Sequence, residues 1–201
     1  MKHKQEQKAY ILIVTILLHM SQNNYNIRIV QSLLKSENHI RGLAKALNTN
    51  QTTIARKVHE LAKENVADFK QEGKNKVVFL KKTLEAKQYV FSVEAERLIE
   101  TIKRYPNLRR IIEAIKENNK INLAVLFGSY AKGTVTKNSD IDIYIETTDK
   151  KIKEAVELIN SKISVKIGRY DKNSLLIKEI EKDHVVIKGI ESYYEKNKFF
   201  D

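Results

Sequence analysis

The chain has 201 residues, 42% hydrophobic and 31% charged, with one Pro and six Gly, which suffices for one ordinary domain or two small ones and excludes disordered and fibrous classes. Having no Cys, it lacks disulfides, thiolate zinc sites, iron–sulfur ligation and thiol nucleophiles, and the cytoplasm is the simplest expected compartment. Its 37 Lys and Arg against 25 Asp and Glu leave a net charge of +12, which favours nucleic acid, nucleotide phosphates or another anionic partner.

Residues 1–24 read as an N-terminal extension in which an apolar run, 9–20, follows a polar, basic start. That run is well short of the roughly 20 apolar residues that cross a bilayer, and no small-residue cleavage site follows it. The expectation is a buried helix or strand, with no membrane association; Met20 as the natural start is a further reading.

From Ile27 the apolar positions take helical spacing. Ile27, Val30, Leu33 and Leu34 define one helix, and Ile40, Leu43, Ala44 and Leu47 a second. Asn48 and Thr49 interrupt the pattern, and Thr49 or Asn50 is placed to cap a third helix with Ile54, Val58 and Leu61 at i, i+4 and i+7. Gln51, Thr52, Thr53, Arg56 and Lys57 are distributed toward its other face. Residues 67–70 and 76–80 read as short strands around a charged turn containing Gly73. Residues 1–82 hold +9 of the net charge and residues 83–201 only +3, so the basic surplus coincides with this region.

Three short helices followed by a basic hairpin resemble the winged helix-turn-helix family over residues 25–82. The resemblance implies double-stranded DNA as a partner, with the third helix in the major groove. Gln51, Thr52, Thr53, Arg56 and Lys57 would then meet bases or phosphates, and Lys70, Lys74 and Lys76 of the wing would meet phosphates.

Residues 83–118 read as a helical linker in several pieces, 84–91, then Leu98, Ile99 and Ile102, then a segment opened by Pro106 with Leu108, Ile111, Ile112 and Ile115 on one face. Those apolar faces serve either packing within the chain or a homodimer.

The densest signal follows, in a domain expected over 119–201. A buried strand over 121–127 runs into Gly128-Ser129, and Asp140-Ile141-Asp142 comes after ten intervening residues. Gly128 permits close backbone approach, Ser129 offers a hydroxyl and an N–H to a phosphate, and Gly133 frees a second bend. Strand alternation puts Asp140 and Asp142 on one face and Ile141, Ile143 and Ile145 on the other. Two carboxylates so placed repel unless a cation lies between them, and oxygen ligands suit Mg²⁺ or Mn²⁺.

This Gly-Ser, ten-residue, Asp-x-Asp arrangement resembles the signature of the nucleotidyltransferase superfamily related to DNA polymerase β, in its minimal form, over about residues 107–201. The resemblance implies transfer of a nucleoside monophosphate from an NTP, ATP first among candidates, to an acceptor hydroxyl. Gly128, Ser129 and Lys132 would hold the phosphates, and Asp140 and Asp142 would be the catalytic metal ligands. Some minimal relatives nucleotidylate a partner toxin, so a toxin-like protein is one acceptor that the resemblance implies.

One departure stands out. The family usually carries a third acid on the next strand, which here follows a helix capped by Asp149 and reads Lys162 to Gly168, presenting Ser164 and Lys166. A hydroxyl is a weak metal ligand, and an ammonium competes with a metal. Asp171 reads as a substitute acid or a helix cap. His184 reads as a surface or satisfied histidine, and Tyr193, Tyr194, Phe199 and Phe200 as closing the core or an interface. The expected fold is α+β: a winged helix-turn-helix, a helical linker and a nucleotidyltransferase fold built on a small mixed sheet flanked by helices. Two functions follow: a nucleotidyltransferase with a DNA-binding winged helix, or a DNA-binding regulator whose degenerate second domain binds nucleotide or dimerises without catalysis.

Overall fold

The computed structural model describes residues 25–73 and 75–201, so the apolar run at 9–20 and Lys74 lie outside the described residues. The chain divides into two units between Val93 and Glu94.

In the first unit, α1 covers residues 25–35, followed by β1 (Asn38–His39), α2 (Ile40–Ala46), α3 (Gln51–Lys63), β2 (Ala67–Glu72) and β3 (Asn75–Leu80). Asn48 at φ +50 turns the chain between α2 and α3, a backbone region that Asn tolerates better than most residues. Asn50 caps α3, its side chain accepting the Thr53 N–H at 2.7 Å. Strands β2 and β3 pair antiparallel with Phe69 opposite Val78, and β1 adds to the far edge of β3. Leu43, Ile54, Val58 and Leu61 are fully buried, as the helical spacing requires; on α1, Ile29 is buried with Val30 and Leu33, whereas Ile27 and Leu34 are half-buried. Three helices and a hairpin wing on a three-stranded sheet are the winged helix-turn-helix arrangement.

Helix α4 (Leu84–Arg104) runs unbroken for 21 residues, where the sequence pattern predicts separate pieces. Good helix formers such as Glu94, Ala95, Glu96 and Arg97 carry it across the gap in apolar spacing. Its residues from Glu94 onward belong to the second unit.

The second unit continues with a 3₁₀ turn at Pro106–Leu108, α5 (Arg109–Glu117), β4 (Ala124–Phe127), α6 (Gly128–Lys132), β5 (Ile141–Glu146), α7 (Lys150–Glu157), β6 (Ile163–Gly168), α8 (Leu175–Lys182), β7 (Val185–Lys188) and α9 (Ile190–Lys196). The sheet order is β6-β5-β4-β7, with β5 and β6 parallel and the other two pairs antiparallel. Its mixed character follows from the connections: α7 is the crossover that a parallel pair requires. Ile141, Ile143 and Ile145 pack in one core with Ile111, Ile112, Ile115, Ile152 and Val156.

One expectation is adjusted here and two open alternatives are resolved. The strand before Gly128 starts at Ala124 rather than 121. Helix α5 with Leu108, which the sequence places in a linker whose apolar face serves either packing within the chain or a homodimer, packs into this core. The segment after His184, open between strand and helix in the sequence, is a strand, and β7 is the fourth strand of the sheet, at one edge.

Candidate functional site

The site forms where β4 stops. Strand β4 is buried along its whole length, and the chain leaves it through Gly128 at φ +68 into the short helix α6, which ends at Gly133 with φ +74. An L-residue with a side chain pays about 1–2 kcal/mol in that left-handed region. Gly128 carries a second constraint. A β-carbon there would collide with Oδ2 of Asp142 and lie 3.2 Å from its Cγ. The Asp142 carboxylate therefore occupies the space that a side chain at 128 would fill.

Asp142 arrives there through strand register. It pairs with Phe127 on antiparallel β4 and with Ser164 on parallel β6. Ile141, Ile143 and Ile145 are buried on the opposite face, which directs Asp142 away from the core. Asp140 precedes the strand and is exposed. The turn before it is held by Ser139, whose Oγ accepts the Thr136 N–H at 2.8 Å. Burial pushes the Asp142 carboxyl above the ordinary range, the Asp140 charge adds to this, the ammoniums of Lys166 and Lys132 oppose it, and Glu179 reinforces it.

Two neighbouring carboxylates suit a shared cation, and hard oxygen donors suit a divalent ion such as Mg²⁺ or Mn²⁺. Asp140 and Asp142 offer oxygen donors of the kind such an ion takes. Among the described residues no group of three or more His, Cys, Asp or Glu is placed to hold a metal. Ser129, beside Gly128, is half-buried and its hydroxyl has no hydrogen-bond partner among the described residues. Lys132 ends α6, exposed, its Nζ 3.2 Å from Oε1 of Glu179 on α8. Glu179 escaped the sequence reading: it lies 47 positions beyond Lys132 in an ordinary amphipathic helix, and only packing of the unit brings it near. Asp171 sits in a turn where its Oδ1 accepts the Asn173 N–H at 2.9 Å, and Ser174, not Asp171, caps α8. His184 is nearly buried against the Tyr193 ring, with Nε2 3.6 Å from Glu94.

In the first unit, Gln51, Thr52 and Arg56 are exposed along α3 and Thr53 is half-buried. Lys57 corrects the sequence assignment. It is only 6% exposed and its Nζ lies 2.6 Å from Oε2 of Glu60; it follows Ile54 and precedes Val58 on the inner edge of the helix, so its ammonium is turned along α3 rather than presented outward. Arg56 reaches the same Glu60 at 3.2 Å but stays largely exposed. Lys70 is exposed and paired with Glu37 and Glu72, which subtracts from its free charge. Exposed Lys76 lies 4.3 Å over the Phe69 ring.

Comparison with known proteins bears on the second unit. The family described as Nucleotidyltransferase domain matches residues 108–201. The "Putative protein adenylyltransferase MJ1215" of Methanocaldococcus jannaschii is 36% identical over 72 residues, 34% of this chain and 84% of that protein. The chain belongs to the nucleotidyltransferase family. Two further proteins of that archaeon, "Putative protein adenylyltransferase MJ0126" and "Putative protein adenylyltransferase MJ1379", are 32% and 30% identical, each over 40% of this chain and 90% of its own length. Nucleotidyltransferases of this family generally work with a divalent metal and an NTP. Among solved structures, the adhesin competence repressor AdcR of Streptococcus pyogenes aligns with 52% of this chain and 81% of its own at a TM-score of 0.38 and 24% identity. Among the described residues no helix is long and apolar enough to cross a membrane.

Proposed function

We propose that the second unit transfers AMP from ATP to a hydroxyl group of a protein acceptor, and that the first unit binds duplex DNA. The observation that carries the transfer reading is the Asp142 carboxylate seated in the space left by Gly128, because it joins the Gly-Ser turn and the paired aspartates in one locus. Backbone N–H groups at the turn and the Ser129 hydroxyl would hold the phosphates, with Lys132 as a point charge. Asp140 and Asp142 would hold Mg²⁺ or Mn²⁺, which when bound neutralises phosphate charge and polarises the reacting oxygens. The acceptor oxygen bonds to the α-phosphorus as the bond to the β-phosphate oxygen breaks. Pyrophosphate leaves with that electron pair, and the hydroxyl proton passes to solvent. A protein acceptor accords with the relatives named as protein adenylyltransferases, and a toxin-like protein is one candidate for it.

For the first unit, Gln51, Thr52 and Arg56 exposed on α3, with Lys76 on the wing, support groove and phosphate contact. A second reading has its own observation: Ser164 stands beside Asp142 where an active site would gain from an acid, and this favours a DNA-binding regulator whose second unit takes up nucleotide, or pairs two copies, without transfer.

Incubation with Mg²⁺ and ATP labelled at the α-phosphate, with candidate acceptor proteins, separates the two. Label that enters protein and disappears in Asp140→Ala supports transfer. Nucleotide bound but never turned over, with Mg²⁺ or Mn²⁺ and each of the four NTPs, sinks it in favour of the regulator.

A further inference from the structure

Strand β6 determines what positive charge this site assembles. Its parallel register sets Ser164 beside Asp142 and Lys166 beside Tyr144, and alternation places both on the sheet face that carries Asp142. Ser164 is half-buried and neutral. Lys166 is exposed and has no ion pair or hydrogen bond among the described residues, and two positions along β6 from Ser164 it stands on the same face as Asp142. Glu179 is engaged by Lys132 at 3.2 Å. A first divalent cation would find the Asp140 and Asp142 carboxylates. A second would find a hydroxyl and an ammonium that repels it.

We infer that, on the reading of Asp140 and Asp142 as the seat of a metal-bound NTP, this site binds one divalent cation with the nucleotide, and Lys166 supplies the second positive charge to the triphosphate. Lysine suits that role as a compact cation on a flexible stem, able to leave the Asp142 side and follow a phosphate oxygen. Ser164 explains the count: it is the position on β6 directly beside Asp142, and it contributes no charge to a second ion.

Mn²⁺ titration followed by electron paramagnetic resonance, on the full chain with a non-hydrolysable ATP analogue, tests this without any turnover. One Mn²⁺ per chain is expected. Ser164→Asp, which places a carboxylate beside Asp142, is expected to raise the count to two. Lys166→Met is expected to keep one Mn²⁺ while weakening the analogue by about tenfold or more, the loss of a charge-assisted contact. Two Mn²⁺ in the unaltered chain overturn the inference and leave the metal seat intact. No Mn²⁺ overturns the inference and the seat together. A count that Ser164→Asp does not change, or analogue affinity that Lys166→Met does not change, overturns the roles given to those residues.

Discussion

Replacing Gly128 by Ala tests the central geometric claim, that a missing side chain makes room for the Asp142 carboxylate. At φ +68 the new residue pays about 1–2 kcal/mol in backbone strain. Its β-carbon would also collide with Oδ2 of Asp142 while lying 3.2 Å from Cγ and 3.3 Å from Cβ, so an ordinary contact returns only if the carboxylate retreats by about 1 Å. A reacting or ligating group misplaced by ~1 Å costs on the order of 100-fold. The expected outcome is a stability loss of about 1–2 kcal/mol by chemical denaturation, with Mn²⁺ affinity or AMP transfer falling about 100-fold. Gly73→Ala supplies the control, because Gly73 has φ +58 and nothing within 4 Å of a built β-carbon. It should pay a similar backbone cost in the first unit and leave transfer unchanged. If Gly128→Ala loses no more stability than Gly73→Ala and retains metal affinity and transfer within about twofold, far from the 100-fold expected, the seating of Asp142 does not depend on the glycine and the reasoning fails.

Glu94 is fully buried, its Oε1 accepting from Tyr194 at 2.7 Å and Arg97 at 2.9 Å, so Glu94→Ala should cost about 3–5 kcal/mol in a denaturation curve by stranding those partners. Burial works to raise the Glu94 carboxyl, but His184, Arg97 and Tyr194 outweigh it and hold it below its usual value; the stability this provides should therefore be complete above about pH 4.5 and be lost as pH falls through the depressed value, a slope that Glu94→Gln should flatten. In DNA binding, Arg56→Ala should reduce the slope of log affinity against log salt by about 0.9, the share of one phosphate contact, whereas Lys57→Ala should leave that slope unchanged because its ammonium is already committed to Glu60. Ser174→Ala removes the oxygen that accepts the Ile177 N–H at the start of α8 and should lower thermal stability by about 1 kcal/mol.

What the linear sequence determined is local, and it determined it well. Helical spacing and side-chain chemistry located α2 and α3 with a cap at Thr49 or Asn50, the Gly-Ser turn, and the alternation that sends Ile141, Ile143 and Ile145 inward and Asp142 outward; all depend on residues a few positions apart. The presentation of Ser164 and Lys166 on the face of β6 was legible for the same reason, period-2 alternation. Tertiary structure decided what depends on distant partners. Sequence spacing gave Lys57 to the outer side of α3, yet the packing of Ile54 and Val58 turns that edge inward. It left the apolar face of α5 open between packing within the chain and a homodimer, and the isoleucines of β5 take it up. Glu179 joined Lys132 across 47 positions with no periodic trace, since a pattern along one helix records which face is buried but not which strand or turn lies opposite. The close approach of Asp142 to Gly128 belongs to both levels: glycine and aspartate are written in the chain, and only the register of β4 against β5 brings them into one space.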